Sequence, residues 1–378
     1  MSVFDGLVGQ EAVVAQLTAA AAGQGMTHAW LFTGPPGSGR SIAARAFAAA
    51  LQCPDRGCGH CDSCHQAVTG THADVAVIVP EGLTLGVKET RAIVMATAHR
   101  PTQSRWQITL IEDADRLTDQ AANALLKAIE EPPPSGVVVL CAPSLEDVLP
   151  TVRSRCRVAA LVTPSPASVA ALLESEGVDA AMAAFAAQAA QGHIGRARRL
   201  ATDESTRQER REVLALPASM ASIGSVLNAA KNLVDAAKAE AEELSTLRDE
   251  PERDALATAL GAGATGKGYT GGTPRGGAGA LKALETQQKS RATRTKRDAL
   301  DRALVDLAAF YRDVLALQLG SSAVPVHADL TKQAGALARS SAAEDTLRRI
   351  DAVLACRTAI DGNVNAQLAV DAMALALR

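Results

Sequence analysis

The sequence predicts an α/β domain with a glycine-rich loop and an inserted metal module, followed by a small helical domain and a C-terminal all-helical domain. Two observations support the α/β part. Up to about residue 160, short apolar runs alternate with helical periods, as in a parallel sheet covered by helices. A glycine-rich turn also joins the first apolar run to a helix. Beyond Pro164 the strand signals stop, and alanine-rich helical periods predict the helical domains.

Length and charge limit the function classes. A chain of 378 residues is long enough for two or three domains. The formal net charge is −3, so no overall charge attracts the protein to nucleic acid or membrane, and any such contact must be a local patch. The N-terminus has no basic segment followed by an apolar run, and no apolar stretch approaches a membrane span. We expect a cytoplasmic protein without membrane contact.

Three apolar runs predict buried strands, at residues 28–32, 106–111 and 136–142. The first leads into the glycine-rich loop, and residues 41–52 predict the helix that leaves it. The second is followed by a predicted helix over 119–131, which the prolines at 132–134 end because proline cannot continue a helix.

Residues 34–41, GPPGSGRS, match the phosphate-binding pattern G-x-x-x-x-G-K-[ST] except at one position, where arginine replaces lysine. Such a loop directs backbone N–H groups at phosphate oxygens. Arginine keeps the charge but has a longer, planar fork. The pattern is compatible with ATP and Mg²⁺ but predicts weak or absent hydrolysis; a turn kept only for its shape is the alternative. The predicted residues are Gly34, Pro35, Pro36, Gly37, Ser38, Gly39, Arg40 and Ser41.

Glu112 and Asp113 follow the second predicted strand, where an ATPase of this type usually has Asp and then Glu. The reversed order shortens the expected base by one methylene and lengthens the metal-side group. A displacement of about 1 Å can cost on the order of 100-fold in rate. The pair therefore predicts a degenerate site. Alternatively, the carboxylates cap the following helix.

Cys53, Cys58, Cys61 and Cys64 follow the spacing C-x4-C-x2-C-x2-C. Four thiolates close together can complete a tetrahedral Zn²⁺ site and leave no position for water, so the predicted zinc is structural. Two alternatives stay open: reduced free thiols, and a site in which His60 or His65 replaces one thiolate.

The sequence resembles the bacterial DNA polymerase III clamp loader, an AAA+ assembly whose gamma/tau and delta-prime subunits share four features with it. These features are the cysteine module and the motifs GTHADV, ANALLKAIEEPP and VRSRC. The resemblance covers about residues 1–200 with specific motifs. The resulting expectation is an AAA+ domain over 1–162 with its zinc module at about 53–64, a helical lid over 163–205, and a helical collar over 206–378 that joins a ring.

Departures from the motor pattern resemble the delta-prime type of subunit. Besides Arg40 and the reversed carboxylates, Ala142-Pro143 replace a polar sensor, and Gly195 occupies an arginine's position in the lid. The VRSRC motif is intact, and the resemblance implies that Arg155 serves a neighbouring subunit's nucleotide as an arginine finger. A structural ion pair is the alternative for Arg155.

The implied function is that of a stationary partner while ATP drives loading of the sliding clamp onto primed DNA. The implied partners are gamma/tau and delta subunits, the clamp, and DNA through the complex. An active gamma/tau-like motor ATPase is the first alternative, and a P-loop adaptor outside replication is the second.

Two features of the C-terminal half are read from composition. Residues 261–280 are glycine-rich and predict a flexible insertion. Residues 281–302 carry seven basic and three acidic side chains. This segment is compatible with a helix that contacts DNA phosphates and equally with an ordinary solvated helix face.

Overall fold

The computed structural model describes residues 2–97, 99–219, 222–260 and 277–378. The chain forms two compact units. One comprises Met1–Pro80 and Thr84–Thr202, and the other comprises Glu81–Leu83 and Asp203–Arg378. The three-domain division remains a prediction. Among the described residues, none of the helices is both long and apolar enough to cross a bilayer.

The first unit contains a five-stranded, fully parallel sheet with the order β2-β3-β4-β1-β5. The strands are β1 (Ala29–Thr33), β2 (Val75–Ile78), β3 (Gln107–Ile111), β4 (Gly136–Ala142) and β5 (Arg157–Ala160). The three predicted strands are present, with shifts of one residue at β1 and β3. Because all strands are parallel, the loops after β1, β3 and β4 lie at the same edge of the sheet.

Nine helices of the described residues belong to the first unit. They are α1 (Glu11–Ala21), α2 (Arg40–Gln52), α3 (Asp62–Thr69), α4 (Val87–Thr97), α5 (Asp119–Glu130), α6 (Pro150–Arg153), α7 (Pro166–Ser175), α8 (Ala180–Ala189) and α9 (Ile194–Thr202). Thr118 caps α5 by accepting a hydrogen bond from the Ala121 N–H at 3.3 Å, and the prolines end the helix as predicted.

Two hydrophobic clusters cover the sheet, one on each face. Trp30, Phe32 and Phe47 join β1 to α2 in one of them, with the Trp30 and Phe47 ring centroids 4.9 Å apart. Helices α7 to α9 share a separate cluster that includes Val169, Leu173 and Leu200. The alanine-rich helices of the predicted lid therefore pack around a core of their own.

The second unit contains the helices of the C-terminal region, which confirms the prediction of an all-helical region. Its helices are α10 (Glu204–Ala215), α11 (Ile223–Ala259), α12 (Gly277–Gln318), α13 (Thr331–Ser340), α14 (Ala343–Asp361) and α15 (Ala366–Ala376). Leu300, Leu304 and Leu307 are buried in its core. Of the segment 261–280 that was predicted to be a flexible insertion, residues 277–280 belong to α12. Residues 261–276 lie outside the described residues.

Candidate nucleotide, metal and arginine-finger sites

The glycine-rich loop joins β1 to α2. Gly37 and Gly39 have φ values of +87° and +91°, which favour glycine. Ser41 lies in the first turn of α2, while Pro35 and Pro36 are exposed. A Cβ added to Gly37 would lie only 2.4 Å from the His193 Cα, so the residue before α9 packs directly on the loop. His193 therefore leaves little space next to Gly37.

Arg40 is half-buried and turns back onto its own loop. Its Nη1 donates a hydrogen bond to the carbonyl of Gly34, the first residue of the loop. The charged fork that would meet a phosphate is thus engaged with the loop backbone. A compact ammonium could not span the loop in the same planar way.

Gln10 and Ser38 connect the loop to the sheet. The Gln10 side chain donates to the carbonyls of Ser38 at 3.3 Å and Val162 at 2.7 Å, and it accepts from the Val162 N–H. The Ser38 hydroxyl is buried and has no hydrogen-bond partner among the described residues. These contacts hold the loop closely against the chain that leaves β5.

Glu112 is tied to an arginine of α2. The Arg45 Nε and Nη2 lie 3.1 Å and 3.0 Å from the same carboxylate oxygen, and the Glu112 side chain is only 14% exposed. A carboxylate neutralised in this way is a poor ligand for Mg²⁺, because the cation would have to compete with the guanidinium.

Asp113 precedes a 3₁₀ turn over Ala114–Arg116 and has a φ of +50°. Its side chain makes no capping hydrogen bond there, which disagrees with the capping alternative for this residue. Burial raises the pKa of Asp115, and the neighbouring Asp113 charge raises it further. Burial also raises the pKa of Cys141 in β4, with the Glu112 charge as the next contribution and Arg40 opposing it. The charges of Arg40 and Glu112 thus have opposite effects on the pKa of the Cys141 thiol.

Arg155 follows α6, just before β5. Its Nε lies 2.6 Å from Oε1 of Glu130, the last residue of α5, and its Nη1 donates to the Thr151 carbonyl at 2.8 Å and the Ser154 hydroxyl at 3.3 Å. Nη2 makes no hydrogen bond with any described residue. The side chain is 42% exposed. An ion pair is therefore present, and Nη2 is the nitrogen of the fork that has no hydrogen-bond partner among the described residues.

The four predicted cysteines form one cluster between α2 and α3. Their Sγ atoms all lie within 4.8 Å of one another. Cys58 and Cys61 lie 3.6 Å and 3.7 Å from Cys53, close to the separation of about 3.8 Å for thiolates on a tetrahedral zinc with Zn–S bonds of about 2.3 Å. His60 is not in the cluster; its Nδ1 is 3.0 Å from the Cys58 carbonyl. The geometry favours four thiolates over a histidine ligand.

The thiol chemistry also fits a metal. Burial is the largest influence on Cys53, and backbone N–H groups of Cys58 and Gly57 outweigh it and lower the Cys53 pKa to about 6. Burial raises the pKa of Cys64, and the Cys53 charge raises it further. Four mutually repelling thiolates are stabilised together only around a cation. The residues therefore fit structural zinc. All seven cysteines of the chain are free of disulfides.

Comparison with known proteins follows the same part of the chain. Residues 9–165 match the family described as "DNA polymerase III, delta subunit". The gamma/tau subunit of Mycobacterium tuberculosis H37Rv is 34% identical over 184 residues, which are 46% of this chain and 32% of that protein. The delta' subunit of Escherichia coli K12 is 36% identical over 143 residues, 36% of this chain and 43% of that protein. Residues 9–165 are thus similar in sequence to subunits of the DNA polymerase III clamp loader.

The clamp-loader relatives match only in part. The chain spans less than half the length of these relatives. A solved structure of a gamma subunit-related protein from Thermotoga maritima aligns with 96% of this chain and 98% of that chain, at 15% identity and a TM-score of 0.41. The family assignment rests on the sequence matches.

Sequence reasoning missed three residues of these sites. Gln10 contacts the glycine-rich loop, Arg45 contacts Glu112, and Glu130 contacts Arg155. Arg45 has a local signal, because it is the one charged residue of helix α2 after Arg40 at its first position. Gln10 and Glu130 have no comparable local signal, since their partners are distant in sequence.

Proposed function

We propose that this chain is a delta-prime-like subunit of a DNA polymerase III clamp loader, which supplies an arginine finger in trans. In this proposal the chain assembles with gamma/tau and delta subunits into a ring. The gamma/tau motors hydrolyse ATP, and the ring loads the sliding clamp onto primed DNA. This chain acts as their stationary partner in the cytoplasm.

The contrast between Arg40 and Arg155 carries the proposal. Arg40 is half-buried and bonded to its own loop, whereas Arg155 is 42% exposed with Nη2 open. The Glu112–Arg45 ion pair adds to the contrast, because it occupies a carboxylate that a motor would use for metal. Gly195 offers no cation from α9 at its position.

In the proposed mechanism, Arg155 presents its Nη2 to a γ-phosphate held by the adjacent subunit. Negative charge increases there as the bond to the leaving group breaks, and a fixed guanidinium offsets that charge. Glu130 and the Thr151 carbonyl orient the fork from the inner side. The cysteine cluster would hold zinc for stability only, since four ligands leave no place to activate water.

The test is reconstitution of this chain with gamma/tau and delta subunits, followed by measurement of DNA-stimulated ATPase and clamp loading. We expect loading that requires this chain, and weak or no ATPase activity from the chain alone. The variant Arg40→Lys should also remain inactive alone, since the Glu112–Arg45 pair and Gly195 are unchanged.

A second candidate is an active gamma/tau-like motor. It is favoured by the longer match to the gamma/tau relative, 184 residues against 143 for delta'. Robust ATP hydrolysis by the isolated, unmodified chain would establish the motor. Failure to co-purify with clamp-loader subunits would instead favour the adaptor outside replication.

A further inference from the structure

Helix α12 carries a row of three lysines on one face. Lys282, Lys289 and Lys296 are spaced seven residues apart, which is close to two turns, so they follow one another along the helix. The row is about 21 Å long at 1.5 Å per residue. Lys282 and Lys289 are exposed and Lys296 is half-exposed. With the described residues, none of the three ammonium groups makes an ion pair or hydrogen bond.

The arginines of the same segment have partners. Arg291 is buried and contacts Asp249 at 2.7 Å and Glu252 at 2.5 Å, both on α11. It projects about 160° away from Lys289 around the helix. Arg302 contacts Glu240 of α11 at 2.6 Å. Arg294 pairs with Asp298 of α12 itself, and Arg297 donates to the Asn363 side chain. The basic side chains counted from the sequence are therefore of two kinds: arginines with partners in the chain, and lysines without them among the described residues.

Two threonines lie between the lysines in the row. Thr286 and Thr293 lie in the same row, and their hydroxyls donate to the Lys282 and Lys289 carbonyls at 2.9 Å. Within residues 282–296 of α12, Glu285 is the single acidic residue, and it forms no ion pair with any of the three lysines.

An equivalent row on α11 has a different charge pattern. Lys231, Asp235, Lys238 and Glu242 are spaced four, three and four residues apart and are all exposed. Lys238 pairs with Glu242 at 3.5 Å. Alternating charges of this kind are typical of a solvated helix face. The α12 row lacks the alternation, so solvation alone does not account for it.

We propose that the row formed by Lys282, Lys289 and Lys296 binds the sugar-phosphate backbone of duplex DNA without sequence preference. A straight row of cations complements a rigid duplex, which carries one negative charge per about 1.7 Å of its axis. Proteins that bind single strands usually provide aromatic side chains for base stacking. Residues 277–302 contain no Phe, Trp or Tyr, which favours duplex over single-stranded nucleic acid.

The test uses the full chain and a fluorescent 24-base-pair duplex, with affinity measured by anisotropy at several salt concentrations. The variant is Lys282→Gln/Lys289→Gln/Lys296→Gln. The matched control is Lys231→Gln/Lys238→Gln/Lys332→Gln, which removes the same charge from exposed lysines of the same unit. Replacement of the row by three arginines should preserve binding.

We expect the row variant to lose at least about 10-fold in affinity near 0.1 M salt, and to reduce the slope of log K against log salt by about 2–3, since each phosphate contact contributes about 0.9. The control should bind as the unmodified chain does. Equal losses in both variants, or no loss in the row variant, would overturn the proposal. So would a larger effect of the row on a (dT)24 strand, or on vesicles containing phosphatidylserine, than on the duplex. The assay uses this chain alone and does not depend on the role of Arg155.

Discussion

Two arginines flank the paired strands β1 and β5, and their surroundings differ. Arg40, after β1, is bonded to the Gly34 carbonyl within its own loop. Arg155, before β5, is held on its inner side by Glu130 and Thr151 and keeps Nη2 open. Both have the same charge and the same donors. They differ in which of their donors already have acceptors inside the chain. This difference supports the proposal that Arg155, and not Arg40, acts on the nucleotide of a neighbouring subunit.

The largest effect is expected when the Arg155 side chain is removed. In the reconstituted complex, Arg155→Ala should lower DNA-stimulated ATPase on the order of 10³-fold, because arginine fingers contribute about 10³–10⁵ in GTPase systems. The variant should stay folded, bind zinc and join the complex. Arg153→Ala, in the same motif, serves as the control and should keep most of the activity. An unchanged rate for Arg155→Ala would remove Arg155 from the chemistry.

A variant of a zinc ligand tests whether the cysteine cluster contributes to the stability of the first unit without contributing to ATP hydrolysis by the complex. Cys61→Ser should abolish stoichiometric zinc and destabilise the first unit by more than about 3 kcal/mol, a large effect for one substitution. Metal analysis and thermal unfolding measure both. Cys156→Ser, a thiol outside the cluster, should retain zinc. Complexes that contain folded Cys61→Ser protein should hydrolyse ATP almost normally; a rate loss as large as that of Arg155→Ala would assign the metal module a direct role.

A smaller effect is expected at the closed loop. Arg40→Ala removes one hydrogen bond to a charged group, worth about 1.5–3 kcal/mol of stability, and no group that contacts a neighbour's phosphate. The complex should keep clamp loading within about 10-fold, which is far less than the loss at Arg155. If Arg40→Ala abolished loading while Arg155→Ala did not, the roles of the two arginines would be reversed.

Features with a local sequence pattern could be predicted, whereas contacts between distant residues could not. The glycine-rich loop, the four cysteines and the three buried strands have strong local patterns, and the structure contains each of them. The edge strands β2 and β5 were not predicted. Each has only four residues, which is too short for the pattern of apolar residues to identify a strand, even though β2 (VAVI) is wholly apolar. The partners of Arg40, Glu112 and Arg155 could not be predicted either. Such contacts depend on how chain segments separated by many residues meet, as in the 67 positions between Arg45 and Glu112.

The smallest effect is expected from substitution of Glu130, which tests whether this carboxylate orients the Arg155 side chain. The Glu130–Arg155 pair is exposed on both sides, at 44% and 42%, so water screens it and its contribution should not exceed about 1 kcal/mol. Glu130→Gln should therefore lower the complex's ATPase by about 2–5-fold, because the guanidinium loses one of its orienting contacts but keeps its bond to Thr151. Glu131→Gln changes an adjacent exposed carboxylate and should have no effect. In the double variant Glu130→Gln/Arg155→Ala, the glutamate should cost nothing further, since it acts only through the arginine. A loss of 100-fold at Glu130, or a loss that persists without Arg155, would show that Glu130 contributes to hydrolysis by a separate route.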